Sequence, residues 1–192
     1  MIAEIDAVAD AGDSVGGAFV VVLEGVPIGL GSAAEWDTRL DGDLAAALMA
    51  IPAVKAVAVG DGFAVAYKHG SEVHDEVDTD ATDWSRRTNR AGGIEGGMSN
   101  GMPIVLRAAV KPVSTLRRPL DSVDIVTGAT GRAHIERSDV AIMPRAAIVG
   151  EAMAALVLAD QLLMSFGGDS MGDLKAAVAR RRRHEARPSH RG

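Results

Sequence analysis

The stretch "NRAGGIEGGMSNGMPIVLRAAVKP" (residues 89–112) joins a glycine-rich segment to an aliphatic run that ends in Lys111 and Pro112. Half of residues 92–101 are glycine, which permits positive φ angles and lets a ligand approach the main chain. Exposed N–H groups of such a turn can bind anions or the polar edge of a flat ring. The spacing in "GGIEGG" differs from the dinucleotide fingerprint and from the phosphate loop of nucleotide hydrolases, so a purely structural turn is the commoner explanation.

Composition limits the class of protein. The chain has 192 residues, of which 47% are apolar and 3% aromatic, so one core must be built from aliphatic side chains and methionine. No run approaches the roughly 18 apolar residues of a membrane span, and the acidic start differs from a secretory leader. Without cysteine there can be no disulfide or thiolate metal site. We predict a cytoplasmic protein with no metal site and no membrane partner.

Apolar periodicity and turn residues predict a mixture of strands and helices. The strand patterns lie at 17–27, at 103–113 and in a hairpin at 54–67 around a Gly-Asp-Gly turn. The helix patterns lie at 41–52 and 147–170. The second helix is apolar almost all round, so we expect it to be a buried core helix that stops at Gly167. Residues 68–90 are polar and predict a long exposed loop.

The carboxyl end is strongly basic. Residues 175–192 contain seven basic residues and one acid, a net charge of +6, whereas the whole chain carries −6. Such a segment can bind nucleic acid or a membrane surface, but no aromatic residue lies in it to stack on bases. We therefore predict one domain at 1–174, followed by a disordered, solvated tail at 175–192 that binds no nucleic acid.

Two short segments carry candidate chemistry. "KPVST" (residues 111–115) places an ammonium and two hydroxyls at the end of a predicted strand, which suits a terminal phosphate. The alternative is a surface lysine before an ordinary turn. Arg137 and Asp139 in "RSD" are either a surface ion pair or, in a cleft, an anion-binding arginine beside a proton-transferring carboxylate. Residue types alone leave both questions open.

Longer blocks of sequence carry more information than these segments. They occur in the order "GDSVGG", "GVPIGLGS", "ALMAIPAVKAVAVGDGF", "GSEVHDE", "TNRAGGIEGGMSNGMPIVLRAAVKP", "ST" and "RSDVAIMPRAAIVGEAMAALVLADQLL". In this order the chain resembles the carboxyl-terminal half of chorismate synthase over residues 12–170. The "Ser-His-Gly" segment, the arginine cluster and the second histidine of the family's amino-terminal half have no counterpart here, and none of the five histidines replaces them.

The resemblance implies an α+β fold, a sandwich of antiparallel sheets with helices packed between them, assembled as a homotetramer. It also implies a carbon–oxygen lyase of the shikimate pathway of aromatic amino acid biosynthesis. In that reaction 5-enolpyruvylshikimate 3-phosphate loses phosphate and a proton by trans-1,4 elimination, which gives chorismate. The family requires reduced FMN, with NADPH as one source of the reducing electrons.

The site residues follow from matching positions in the resemblance. The positions matched to cofactor binding are Pro52, Ala53, Gly96, Lys111, Pro112, Val113, Ser114, Thr115 and Arg137. Of these, Gly96 matches a contact with the flavin, and residues 111–115 match the segment that receives its phosphate. The positions matched to catalysis are Arg137, at the join of flavin and substrate, and Asp139, near the flavin N5.

Two functional hypotheses remain. In the first, the chain is part of a chorismate synthase and needs the missing half, which could be encoded separately upstream. In the second, it is a non-catalytic remnant that binds flavin or helps assembly. Because half a site lacks most groups that stabilise the transition state, we expect the isolated chain to be inactive under either hypothesis.

Overall fold

A computed structural model describes residues 1–78 and 85–185, without the side chains of residues 184 and 185. Its helices are α1 (Ile2–Asp10), α2 (Leu40–Met49), α3 (Gly70–Val73), α4 (Met143–Phe166) and α5 (Met171–Glu185), with 3₁₀ turns at Trp36–Thr38 and Gly62–Tyr67. Its strands are β1 (Gly17–Leu23), β2 (Val54–Val59), β3 (Ile94–Glu95), β4 (Met98–Ser99), β5 (Ile104–Val110), β6 (Asp121–Val123) and β7 (Thr130–Arg132). This mixture of helices and antiparallel strands confirms the predicted α+β class.

Strand β5 is the centre of a three-stranded antiparallel sheet with the order β1-β5-β2. Its register sets Val110 opposite Gly17 in β1 and opposite Val54 in β2. Alternate side chains of β5 are buried, namely Ile104, Leu106, Ala108 and Val110. Arg107 between them is exposed, so one face of the sheet forms the core and the other faces outward.

Helices α2 and α4 cover the core face. The buried leucines of α2 recur every four residues, at Leu40, Leu44 and Leu48, and all are fully buried. Helix α4 meets β1 closely at Gly150, where an added Cβ would stand 2.6 Å from the Cε2 atom of Phe19. The described part of the chain thus has a sheet with helices packed on one of its faces.

The predicted strands at 17–27 and 103–113 and the predicted helix at 41–52 are confirmed by β1, β5 and α2. The predicted hairpin at 54–67 is wrong, because β2 is followed by the 3₁₀ turn Gly62–Tyr67. The Gly-Asp-Gly turn binds the glycine-rich stretch instead. Asp61 N–H donates to Arg90 O at 2.9 Å, and Gly60 N–H donates to Val105 O at 2.8 Å.

The loop predicted at 68–90 is only partly the exposed segment expected from its polarity. It includes the short helix α3, and its Asp75 is buried. Residues 79–84 of this prediction lie outside the described residues.

Helix α4 ends at Phe166 before Gly167, as predicted, but its expected burial is wrong. Its buried residues are Ala146, Gly150, Ala154 and Gln161. On the opposite side, Ile148, Leu156 and Leu163 are 52% to 68% exposed. By length and composition α4 could cross a membrane, a test that core helices of soluble proteins also pass. An all-round apolar helix therefore packs on the described chain with one face and leaves the other uncovered.

The predicted disorder from residue 175 is also wrong for much of the tail. Helix α5 runs from Met171 to Glu185, beyond the predicted boundary between domain and tail. Its Leu174 and Val178 are partly buried, so the helix gains burial that charge composition alone does not reveal. Residues 186–192 of the predicted tail lie outside the described residues.

The close contact at Gly150 predicts a specific loss of stability. We expect Gly150→Ala to be less stable than Gly42→Ala by about 1–3 kcal/mol, because both substitutions raise helix propensity but only the first overpacks against Phe19. At Gly42 the nearest atom to an added Cβ is 3.8 Å away. Urea denaturation of both variants measures the difference, and equal free energies of unfolding would contradict this account of the α4–β1 contact.

Candidate functional site

Three predicted site segments meet where β5 ends. The Lys111 N–H donates to Ala53 O at 2.9 Å, and the Ser138 hydroxyl donates to Thr115 O at 2.8 Å. Ala53 has a φ of 71°, a left-handed conformation that is uncommon for a residue with a side chain. The structure thus brings residues 52–53, 111–115 and 137–139 together around the carboxyl end of one strand.

The chain before β1 joins the same cluster. The Ser14 hydroxyl donates to Val113 O at 2.6 Å, and Val15 N–H donates to Val140 O at 2.9 Å. These bonds fix the backbone on both sides of the "KPVST" turn. The turn is therefore held by three separate parts of the chain, as the backbone of a preorganised site should be.

The charged side chains of this cluster are solvent-accessible. Lys111 is exposed, and its Nζ lies 3.5 Å from Pro112 O, too far for a strong hydrogen bond. Arg137 is exposed as well, whereas the carboxylate of Asp139 forms an ion pair with Arg145 in the first turn of α4. The arrangement can offer two cations to an anionic ligand while Arg145 orients the carboxylate.

Gly96 lies in a different place, at the tip of the β3–β4 hairpin. Its φ is +59°, and no atom lies within 4 Å of the position that a Cβ would take. At Gly97, by contrast, a Cβ would stand 2.7 Å from Ser32 O. The glycine-rich stretch therefore serves mainly to let main chain pack on main chain, and Gly96 is the position beside open space.

A groove of about 540 Å³ runs beside this hairpin. Its lining includes Ile28, Val77, Arg86, Glu95, Met98 and Asn100. Glu95 accepts hydrogen bonds from Arg86 at 2.9 Å and from Asn100 at 2.8 Å. The Nε of Arg86 is buried without a hydrogen-bond partner among the described residues. The groove thus has apolar walls and one linked polar group next to Gly96.

The two regions are joined by helix α2. Leu40 N–H, at the start of α2, donates to Gly97 O at 2.9 Å, while Ala53 follows the end of the helix. A helix of ten residues spans about 15 Å. Gly96 and Lys111 are therefore not in contact, and one ligand would have to be elongated to reach both.

Asp75 is a residue that the sequence analysis missed. Its buried carboxylate accepts hydrogen bonds from the Thr88 hydroxyl and from the N–H groups of Arg90 and Ala91, both at 2.9 Å. Burial raises the pKa of Asp75, but these hydrogen bonds outweigh burial and leave the pKa below its usual value. Asp75 thereby fixes the entry to the glycine-rich stretch. The sequence feature that could have pointed to Asp75 is its place in "GSEVHDE", one of the blocks that carry the resemblance.

The lowered pKa of Asp75 predicts a pH dependence of stability. A depressed folded-state pKa gives stability that is present above the unfolded pKa of about 3.9 and is lost as pH falls through the folded pKa. We expect Asp75→Asn to lower the free energy of unfolding by about 1–3 kcal/mol at pH 7, because the amide nitrogen that replaces one carboxylate oxygen cannot accept a hydrogen bond and would face a donor. The difference from wild type should shrink as the pH falls below about 3.9.

Denaturation at several pH values checks this, with Glu76→Gln as the control at an exposed neighbour. A pH-independent difference would show that the ionised carboxylate is not what stabilises this turn.

Comparisons with known proteins agree on one family. The family model for chorismate synthase matches residues 1–163. The chain is 52% identical to the chorismate synthase of Thermobifida fusca over 173 residues, which cover 90% of this chain and 44% of that protein. It is 49% identical to the chorismate synthase of Rubrobacter xylanophilus over 191 residues, which cover 100% of this chain and 49% of that protein.

A solved structure agrees with the sequence matches. A crystal structure of chorismate synthase superposes on the chain with a TM-score of 0.81 and 40% identity, covering 96% of this chain and 48% of the other. The chain therefore spans about half the length of the relatives that it matches.

Proposed function

Because the chain belongs to the chorismate synthase family, we propose that it supplies the carboxyl-terminal part of a chorismate synthase active site. The assembled enzyme would convert 5-enolpyruvylshikimate 3-phosphate to chorismate by trans-1,4 elimination of phosphate, in the cytoplasm. The observation that carries this proposal is the meeting of residues 52–53, 111–115 and 137–139 at the end of β5. Each of these segments carries residues that the resemblance matches to the family's site.

The chain's own groups fit the phosphate end of reduced FMN. Lys111 would supply the positive charge, and Ser114 and Thr115 would supply hydroxyl donors. The left-handed Ala53 turns its carbonyl toward the Lys111 N–H, which holds the turn in place. At the other end of α2, the open space at Gly96 leaves room for a flat ring beside the main chain.

When bound, reduced FMN would lend electron density as the C–O bond to phosphate breaks. Arg137 would hold a substrate anion at the join of cofactor and substrate. Asp139 would accept the proton. The electron pair of the broken C–H bond would form one ring double bond while the existing ring double bond shifts by one position to the carbon that loses phosphate, and the electron density lent by the flavin would return to it. Arg145 would orient the Asp139 carboxylate for this transfer, since the two side chains are already paired.

The uncovered face of α4 supports the idea that a further segment of protein packs on this helix in the enzyme. Its exposed aliphatic residues, such as Ile148, Leu156 and Leu163, would be buried by the chain that the relatives carry beyond the matched half. We propose that this additional segment, on the same or a separate chain, packs there and supplies the missing histidines and arginines. The assembled enzyme would be a homotetramer, with NADPH or another reductant keeping FMN reduced.

A second candidate is a non-catalytic remnant that binds flavin or helps assembly. It is favoured by the exposure of His134: its side chain lies 3.9 Å from the exposed Glu136, and nothing in the described part of the chain holds it as a catalytic histidine would be held. Activity after addition of the missing half distinguishes the two candidates.

If residues 111–115 bind the phosphate of FMN, removal of the Lys111 charge should lower the affinity for FMN. In the assembled enzyme, Lys111→Ala should weaken FMN binding at least tenfold, because a charge-assisted contact with phosphate is removed. Flavin fluorescence titration under reducing conditions gives the dissociation constant. Lys68→Ala removes another exposed lysine, which pairs with Asp61, and it should leave the affinity unchanged. Equal affinities for wild type and Lys111→Ala would remove Lys111 from the site.

Reconstitution tests the proposed activity itself. An anaerobic assay with reduced FMN and 5-enolpyruvylshikimate 3-phosphate should give no chorismate with this chain alone, and turnover when the amino-terminal half of the Thermobifida fusca enzyme is added. Loss of half the catalytic groups removes several orders of magnitude in rate.

In the same assay Leu156→Asp should prevent assembly, because it places a charge on the uncovered face of α4, whereas Leu156→Met should assemble like wild type. No turnover in a stable complex that binds FMN would favour the non-catalytic candidate.

A further inference from the structure

The basic end of the chain is bound to the loop that follows β1. The Arg182 guanidinium donates to Gly25 O, and the Arg181 guanidinium donates to Ile28 O at 3.3 Å. Arg181 also lies 5.3 Å from the ring centroid of Phe166, a cation–π distance. Two consecutive arginines of α5 therefore satisfy two carbonyl groups of one short loop.

Apolar side chains of α5 add a second set of contacts around a cavity of about 430 Å³. The cavity is lined by Pro27 and Leu162 on one side and by Leu174 and Val178 of α5 on the other. Because this space is not filled, the apolar contact between helix and loop is incomplete. The arginine contacts are then a substantial part of what holds α5 in place.

The same loop holds the glycine-rich hairpin through Ser99. The buried Ser99 hydroxyl accepts from Leu30 N–H at 2.9 Å and donates to Pro27 O at 2.5 Å. Gly29 N–H donates to Ser99 O at 2.8 Å, and Ser99 N–H donates to Leu30 O at 3.0 Å. Four hydrogen bonds thus connect residues 27–30 to the strand that follows Gly96.

The β3–β4 hairpin needs such support. It contains only the pairs Ile94↔Ser99 and Glu95↔Met98, and a ladder of two pairs is marginal without contacts from outside. Its tip is Gly96 and Gly97, which bring no side chains to pack. The position of the tip is therefore set by what holds Ser99, together with the hydrogen bond from Leu40 N–H to Gly97 O at 2.9 Å.

We propose that α5 is a strap that holds residues 25–30 against the hairpin and thereby sets the position of Gly96, with Arg182 as the positioning residue. Arg182 donates to Gly25, the backbone of the loop leads from Gly25 to residues 27–30, and these residues bond to Ser99, which lies two residues after Gly97. The effect on flavin rests on the function proposed above, whereas the effect on the hairpin does not.

Amide hydrogen exchange of this chain tests the strap directly. In Arg182→Ala, the amides of Gly29, Leu30 and Ser99 should exchange about threefold to tenfold faster, because a hydrogen bond to a charged group is lost from the loop that binds them. The amides of β5 should exchange at the wild-type rate. Arg180→Ala is the matched control, since it removes the same charge from an exposed position of the same helix. Unchanged exchange rates in Arg182→Ala, or equally increased rates in both variants, would contradict the proposal that α5 holds the loop against the hairpin.

Flavin binding tests the consequence for the site. In the assembled enzyme, Arg182→Ala should raise the FMN dissociation constant at least threefold without changing the global denaturation midpoint, and Arg182→Lys should restore part of the affinity. Faster exchange with unchanged FMN affinity would overturn the positioning role. If the wild-type assembly binds no FMN, the proposed function fails, and the exchange result alone decides whether α5 supports the hairpin.

Discussion

The antiparallel pairing of β5 with both β1 and β2 is the constraint on which the rest of the structure depends. Its register carries Val110 to a position opposite Gly17 and Val54, so Lys111 leaves the sheet where β2 begins. There it meets Ala53, and the "KPVST" turn meets the segment around Ser138. The pairing of β5 therefore determines both the core beneath the sheet and the position of the candidate site at its edge.

Glycine has two separate uses in this chain. At Gly97 a side chain would strike the backbone of Ser32, so glycine there permits the close approach of the hairpin to the segment that leads into α2. At Gly96 there is open space, and glycine there keeps a surface clear. Asp75 and Ser99 hold the two ends of the glycine-rich stretch, which has few side chains of its own to fix it. Buried hydrogen bonds therefore replace side-chain packing around the hairpin.

Local patterns predicted the elements whose own residues decide their structure. Apolar runs bounded by turn residues predicted β1 and β5, and the stop at Gly167 predicted the end of α4, since these depend on neighbours in sequence. The turn at Gly60, the anchor at Asp75 and the folding back of α5 depend on partners far along the chain, so no local pattern revealed them. The exposure of α4 could not be predicted either, because apolar composition shows that a face needs cover and not which chain covers it.

The candidate site also has a part that could be predicted from the sequence and a part that could not. The resemblance supplied Lys111, Ala53 and Arg137 as candidates, and the structure brings their segments into contact, but it places Gly96 near the opposite end of α2. The most direct measurement is a crystal structure of the reconstituted enzyme with bound FMN. We expect the FMN phosphate within hydrogen-bonding distance of Lys111 Nζ, with the ring extending toward Gly96. A phosphate bound away from residues 111–115 would contradict it.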